Sequence, residues 1–276
     1  MYNNKVAFSK NTMGDIRFKL IIVGGGSASG KTKFCEDLKK EVGNRATVFK
    51  LSADCAYKTP PPEFFTGELE YDFDHPAAFD WSLLHATITQ IRSDVEKAHL
   101  GDTLRIALPQ YDFTTHKRLE EFQIVEVTLN TPIFALCFEG ILALHDERIR
   151  KMAETKVFVD VNSITRLIRR QIRDILFRGR DLFGILVQIL QDVEPAYVKY
   201  VAPTRKLADV TVHNDITLEE LEKLKSRVGD NFDLMNITPK KANSRPALSI
   251  SETGFVDGCG EPFKRSLLII AKCIYA

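Results

Sequence analysis

Lys31 and Thr32 stand directly behind a glycine cluster, in the stretch LIIVGGGSASGKTKF that runs from Leu20 to Phe34. Gly25, Gly30, Lys31 and Thr32 satisfy the spacing G-x-x-x-x-G-K-[ST]. An aliphatic run precedes them, as a buried strand would, and the amphipathic SGKTKFCEDLKKEV follows, as a helix would. In that setting the backbone N–H groups from Gly25 through Gly26, Ser27, Ala28 and Ser29 to Gly30 curl around phosphate oxygens. The helix start adds the positive end of its dipole. Lys31 is spaced to reach β- and γ-phosphates, and the Thr32 hydroxyl to ligate Mg²⁺. These residues imply binding of a nucleoside triphosphate.

A triphosphate site does not by itself separate a kinase from a GTPase or a motor, so the nearby carboxylates matter. Glu139 ends the apolar run PIFALCFE, where a metal-organising acid is needed. Asp54 ends VFKLSAD, on the edge of an open α/β sheet where ligands bind. An ionised carboxylate there can accept the proton of an attacking hydroxyl, although a turn-initiating aspartate would read the same way. Further on, TRLIRRQIRDILFRGRDL carries Arg166, Arg169, Arg170, Arg173, Arg178 and Arg180. Arg166, Arg170 and Arg173 repeat at i, i+4, i+7 and share one helical face. Such a run is often a solvated face. Behind a P-loop it is expected instead to form a lid over the phosphates, because the planar guanidinium fork matches phosphoryl oxygens.

Positioning these groups calls for a scaffold, and the chain offers one. FKLIIVGG, ATVFKLSAD, TLRIALPQYDF, IFALCFEG, KVFVDV and ADVTVH read as strands, with helical segments between them. EFQIVEVTLN alternates like an edge or hairpin strand. This order predicts an α/β fold of P-loop NTPase type: an open parallel sheet with helices on both faces, a small β-hairpin excursion and an arginine-rich lid helix. Residues 1–17 read as an N-terminal extension, 18–229 as the catalytic domain and 230–276 as a tail without an assigned role.

Composition sets further bounds. A net charge of +1 over 276 residues argues against a dedicated nucleic-acid binder. Cysteines 35, 55, 137, 259 and 273 form no CxxC pair and are odd in number, as expected of reduced thiols in a cytoplasmic protein. No apolar run approaches the ~20 residues needed to span a bilayer.

Several of these stretches together resemble the uridine–cytidine kinase family. GGGSASGKT, SAD-x-x-YK, YDFDHPAAFD, PQYDFTTHKR, FEGILAL, RRQIRDILFRGRD and PTRKLADV occur in the family's order, between about Phe18 and Val212. The resemblance implies transfer of the γ-phosphate of ATP, with Mg²⁺, to the 5′-hydroxyl of uridine or cytidine, by a homo-oligomer. It implies Asp54 as the base on that hydroxyl and Asp74 on the ribose hydroxyls. Tyr57, Tyr111, Phe113 and His116 would line the base pocket, although Tyr111 and Phe113 alternate and could equally be core. Arg170, Arg173, Arg178 and Arg180 would face nucleoside and phosphates, with Gln188 near the sugar and Thr32 and Glu139 at Mg²⁺. Intact Lys31, Asp54, Asp74 and Glu139 argue against an inactive nucleotide-binding scaffold. The QYDFTTH stretch argues against a phosphoribulokinase- or pantothenate kinase-like enzyme.

Three departures stand out. Asp54-Cys55-Ala56-Tyr57 lacks the aromatic that the family usually carries at position 56, which opens the question of base selectivity. VTVHND lacks the arginine-glycine pair often found near the nucleotide base, so the sequence does not choose between ATP and GTP. The tail ends in CIYA, a C-a-a-X form that Tyr275 makes a poor match and that reads as chance. Its apolar SLLIIAKCIYA is expected to pack as a strand or to be poorly ordered, and residues after about 230 to be dispensable for the chemistry.

Overall fold

Alternate residues of the first strand go to opposite cores, which fixes the layering. The computed structural model describes residues 16–215 and 261–275. In β1 (Arg17–Gly25), Leu20 and Ile22 point to one face of the sheet and Ile21 and Val23 to the other. β7 (Ile133–Glu139) repeats the pattern with Phe134, Leu136 and Phe138 against Ala135 and Cys137. Strands apolar on both sides belong in the middle of a covered parallel sheet, and these two are neighbours there. The order is β2 (Thr47–Ser52), β7, β1, β8 (Thr155–Asp160), β9 (Val210–His213), with every pairing parallel.

One face is covered by α3 (Trp81–Lys97) and α4 (Glu147–Met152), through Leu84, Ile88, Ile91, Val95 and Ile149. The other is covered by α1 (Lys31–Val42), through Phe34, Cys35, Leu38 and Val42. Asp80 caps α3 by accepting from the Leu83 N–H, and Asn162 caps α5 (Ser163–Leu176) by accepting from Thr165 N–H. Beyond α5, α6 (Leu182–Gln188) runs on through π-helical and 3-10 turns to Leu207.

Two segments depart from the sequence reading. TLRIAL does not join the parallel sheet: β3 (Thr103–Leu108) pairs antiparallel with β6 (Gln123–Thr128) as a separate ribbon. Only Ile106 of β3 is buried, so the strand lacks the two-sided apolar surface of a central position. Inside that excursion the short β4 (Tyr111–Asp112) and β5 (Lys117–Arg118) pair with each other.

The apolar tail run is neither a strand nor unpacked. Glu261–Tyr275 is a helix lying on the α1 face of the sheet, where Phe263, Leu267, Ile270, Ala271 and Ile274 are buried. Phe263 meets Phe34 of α1 edge to face at 5.6 Å, and Tyr275 donates its hydroxyl to the Val42 carbonyl. Ile274 and Tyr275 of the C-a-a-X form are thus packed, whereas Cys273, its first residue, is exposed. This packing makes the tail helix part of the core, so its removal is expected to lower stability even where the chemistry is unaffected. Phe263→Ala is expected to cost about 3–5 kcal/mol of stability, read as a lower urea midpoint; an unchanged midpoint would contradict this packing. The proposed boundary at 229/230 and Cys259 lie outside the described residues.

Candidate active site

The glycine loop is shaped by backbone that side chains cannot share. Gly30 has φ +94°, and a Cβ there would run into the side-chain amide of Asn214. Gly25, at φ +145°, would set a Cβ 2.5 Å from the Val159 carbonyl of β8. Asn214 is itself buried. Its side-chain amide donates to the Ser29 carbonyl at 2.8 Å, and its backbone carbonyl accepts from buried Arg169 at 2.8 Å. The end of β9 therefore holds the loop from beneath, a role that nothing local in VTVHND announces.

Lys31 opens α1 and is buried, donating its Nζ to the Gly26 carbonyl at 2.9 Å. Burial pushes its pKa down, while the charges of Glu139 and Asp54 oppose that shift. Thr32 donates to Glu139 Oε1 at 3.1 Å. Sheet register explains the meeting: Glu139 is level with Val23 of β1 on one side and with Ser52 of β2 on the other. Burial raises the Glu139 carboxyl, and Lys31 works against it.

Asp54 lies two residues beyond β2 in a 3-10 turn, Ala53–Ala56. Ser52 caps that turn, its Oγ accepting from the Asp54 N–H at 3.3 Å. The Asp54 carboxylate thus points to a role other than capping. Burial raises its pKa, and Lys31, Arg178 and Arg173 hold it down. Arg118 ties the hairpin to the same turn: its guanidinium donates to the Ala56 and Tyr57 carbonyls and pairs with Asp80 at 2.8 Å.

Beyond Asp54 the cleft becomes an aromatic box. Tyr57 lies 5.4 Å from Tyr111, 6.2 Å from Phe113 and 6.0 Å from Phe73, centroid to centroid. Phe113 is 59% exposed, so it is not core, whereas Tyr111 is buried. His116 sits at φ +53°, in the left-handed region, in the loop between β4 and β5. Its ring rests 4.9 Å from Phe73 and 5.5 Å from Phe64. Two buried polar atoms in this box, the Tyr111 hydroxyl and His116 Nδ1, have no hydrogen-bond partner among the described residues. Asp74 lies on the same cleft, its pKa pushed up to about 6 by burial against the opposing charge of Arg170.

Only the end of the arginine run is a solvated face: Arg178 and Arg180 are exposed, and the earlier arginines are not. Arg166, Arg169 and Arg170 are 3%, 8% and 8% exposed. Arg170 donates to Ser27 Oγ at 2.7 Å and to Gln188 at 3.0 Å, which ties α5, the glycine loop and α6 together. Arg173, Arg178 and Arg180 line the cleft beside it. Arg166 does not; it pairs with Glu194 at 3.1 Å and stacks 3.6 Å over the Tyr197 ring.

Ser27, Ala28, Gly30, Lys31, Thr32, Asp54, Tyr57, Asp74, Tyr111, Phe113, His116, Glu139, Gln188 and the four arginines from Arg170 to Arg180 all border one cleft of about 1310 Å³. That exceeds the ~300–1,000 Å³ usual for one small ligand and suits two. Gly25, Gly26 and the fully buried Ser29 of the glycine loop do not border the cleft. Sequence reasoning assigned no role to Phe64, Tyr71 or Phe73. The period-two spacing of Tyr71 and Phe73 was the available signal; Phe64 offered none.

A parallel sheet with a glycine loop at the tip of a central strand, flanking acids and a basic roof defines a P-loop phosphotransferase. Residues 20–217 match the model of the phosphoribulokinase/uridine kinase family, and the chain belongs to that family. It is 37% identical over 212 residues to uridine-cytidine kinase B of Dictyostelium discoideum, covering 77% of this chain and 79% of that one. It is 34% identical over 256 residues to uridine-cytidine kinase 2-B of Danio rerio, covering 89% and 88%. The uridine kinase of Deinococcus deserti is 35% identical over 216 residues, covering 78% and 97%. The fold is also similar to that of a candidate fructose transport system kinase from Silicibacter sp. TM1040, with TM-score 0.52 and 16% identity over 73% of this chain and 92% of that one. Among the described residues no helix is long and apolar enough to cross a membrane.

Proposed function

We propose that this chain transfers the γ-phosphoryl group of ATP to the 5′-hydroxyl of uridine, cytidine or both, giving UMP or CMP in pyrimidine salvage. The observation that carries this reading is the aromatic box, with its two orphaned polar atoms, opening into the cleft that holds the glycine loop and Asp54. Stacking faces suit a planar base. A base edge that bonds Tyr111 and His116 would relieve atoms that cost about 1–3 kcal/mol each when left unsatisfied. A bare sugar phosphate would do neither. Relatives named uridine kinase and uridine-cytidine kinase over most of the chain support the same reading.

In this account the loop N–H groups and Lys31 hold the triphosphate, and Asp74 accepts from the ribose hydroxyls. Arg170 and Gln188 fix the sugar end, and Arg173, Arg178 and Arg180 oppose charge on the migrating phosphoryl group. Asp54 orients the 5′-hydroxyl and takes its proton as the bond to phosphorus forms. Thr32 and Glu139 offer a hydroxyl and a carboxylate, hard oxygen donors that fit Mg²⁺, which usually takes one or two protein oxygens and completes its shell with phosphates and water. Mg²⁺ bound there would neutralise charge on the β- and γ-phosphates. We further propose a cytoplasmic enzyme that self-associates; the buried, unpaired Cys35 and Cys137 are consistent with a reducing compartment.

His116→Ala tests the base-reading part. The KM for the nucleoside should rise roughly tenfold or more, from the lost bond to a buried edge, while the KM for ATP stays near wild type. If only ATP affinity changes, His116 belongs to the other substrate and the box is not a base pocket.

A further inference from the structure

Asp174 lies on α5 with no exposed surface, and four guanidinium groups converge on it. Arg173 Nε donates to Oδ1 at 2.8 Å, and Arg178 approaches the same oxygen at 3.3 Å. Arg170 and Arg180 each approach Oδ2 at 3.5 Å. Oδ2 makes no hydrogen bond, so it holds those two by charge alone. The backbone joins in, with the Arg180 N–H donating to the Asp174 carbonyl at 3.0 Å across the bend at Gly179. All four border the cleft, as does Arg169, which donates to the Asn214 backbone carbonyl; Arg166, on the same helix, pairs with Glu194 instead. Their charge reaches both working carboxylates: Arg173 and Arg178 act on Asp54, and Arg170 on Asp74.

A buried carboxylate is costly unless paired, and four cations crowded on one wall repel one another. Each solves the other's problem. The four guanidinium groups and the one carboxylate sum to a net charge of three, and the other hydrogen bonds of Arg170 go to the neutral Ser27 and Gln188. From this geometry we infer that Asp174 is a positioning residue for phosphoryl transfer. It gathers the four arginines into one array beside the glycine loop, and its charge tempers their pull on anions so that phosphate can exchange. The loose Oδ2 contacts suit such a clamp, since Arg170 and Arg180 can turn to a phosphate without breaking a hydrogen bond to Asp174. The inference rests on the phosphate-handling reading of the cleft.

The test measures kcat and the binding of inorganic pyrophosphate and MgATP to the full chain and to Asp174→Asn. Asparagine keeps the shape and an acceptor for Arg173 but removes the charge. kcat should fall about 10- to 100-fold, because misplacing transition-state contacts by about 1 Å costs up to 10²-fold. Pyrophosphate should bind roughly three- to tenfold more tightly, since a nearby negative charge is gone. A purely structural aspartate predicts a lower melting temperature with weaker binding. Unchanged kcat, or pyrophosphate affinity that is unchanged or weaker, overturns the inference. If Asp174→Asn does not fold, Asp174→Glu carries the test: the charge stays but moves, so kcat should fall at least tenfold with pyrophosphate affinity within about twofold of wild type. Wild-type kcat in that variant overturns the inference equally. A wild-type chain that binds neither pyrophosphate nor ATP would instead sink the underlying reading of the cleft.

Discussion

Asp54→Asn should lower kcat by roughly 10²–10⁴-fold while uridine and ATP bind nearly as before. Asparagine keeps the shape and much of the hydrogen bonding of Asp54 but cannot accept the proton of the 5′-hydroxyl. The loss should fall on kcat and kcat/KM together, which marks an interaction made chiefly in the transition state. A turn-capping aspartate would predict lower stability and normal turnover, but Ser52 already caps this turn. The pH dependence supplies a second check. Burial raises the Asp54 pKa in the folded chain, and the base works only when deprotonated. The acid limb of the kcat profile should therefore lie above the ordinary aspartate range, with activity falling as pH drops through it, and Asp54→Asn should abolish that limb. A destabilised but fully active variant would remove Asp54 from the chemistry.

Lys31→Ala should lose most ATP affinity and reduce kcat/KM by roughly 10²–10³-fold, the scale for removing one transition-state donor. The fold should persist, because α1 is anchored by Phe34, Cys35, Leu38 and Val42 and not by its first residue. The charge of Lys31 also opposes the upward shift of both the Asp54 and the Glu139 carboxyls. Without it the two acids face each other with less compensation, so residual activity should show its acid limb at still higher pH. Circular dichroism, ATP titration and a pH–rate profile of the one variant separate these effects. Wild-type ATP affinity in a folded Lys31→Ala protein would remove the P-loop reading.

What could be read from the sequence tracks how local each signal is. The glycine loop, Lys31, Thr32 and Asp54 lie within or beside one strand–turn–helix unit, and Glu139 ends a strand that is apolar at every earlier position, so residue type and spacing mark them as candidates. The exposure of Phe113 beside the buried Tyr111 could not be read, because alternation puts the two on one face only while the strand lasts, and β4 ends at Asp112. The grip of Asn214 on the loop joins residues 185 positions apart. The arginine run was visible as charge, yet its convergence on Asp174 depends on how the chain bends after α5. The tail is a helix and not the strand that SLLIIAKCIYA suggests, yet its helical spacing is legible. Phe263, Leu267, Ile270, Ala271 and Ile274 are spaced as one helical stripe, masked by Leu268 and Ile269, which face outward.

The most direct test of the central claim is product formation by the purified chain with MgATP, followed by mass spectrometry, over a panel of uridine, cytidine, adenosine, ribulose 5-phosphate and pantothenate. The account predicts UMP, CMP or both, formed at stoichiometry with ADP, and no phosphorylation of the other three. Phosphorylation of ribulose 5-phosphate or pantothenate in preference to either pyrimidine nucleoside would contradict it, as would ATP binding without turnover of any of the five.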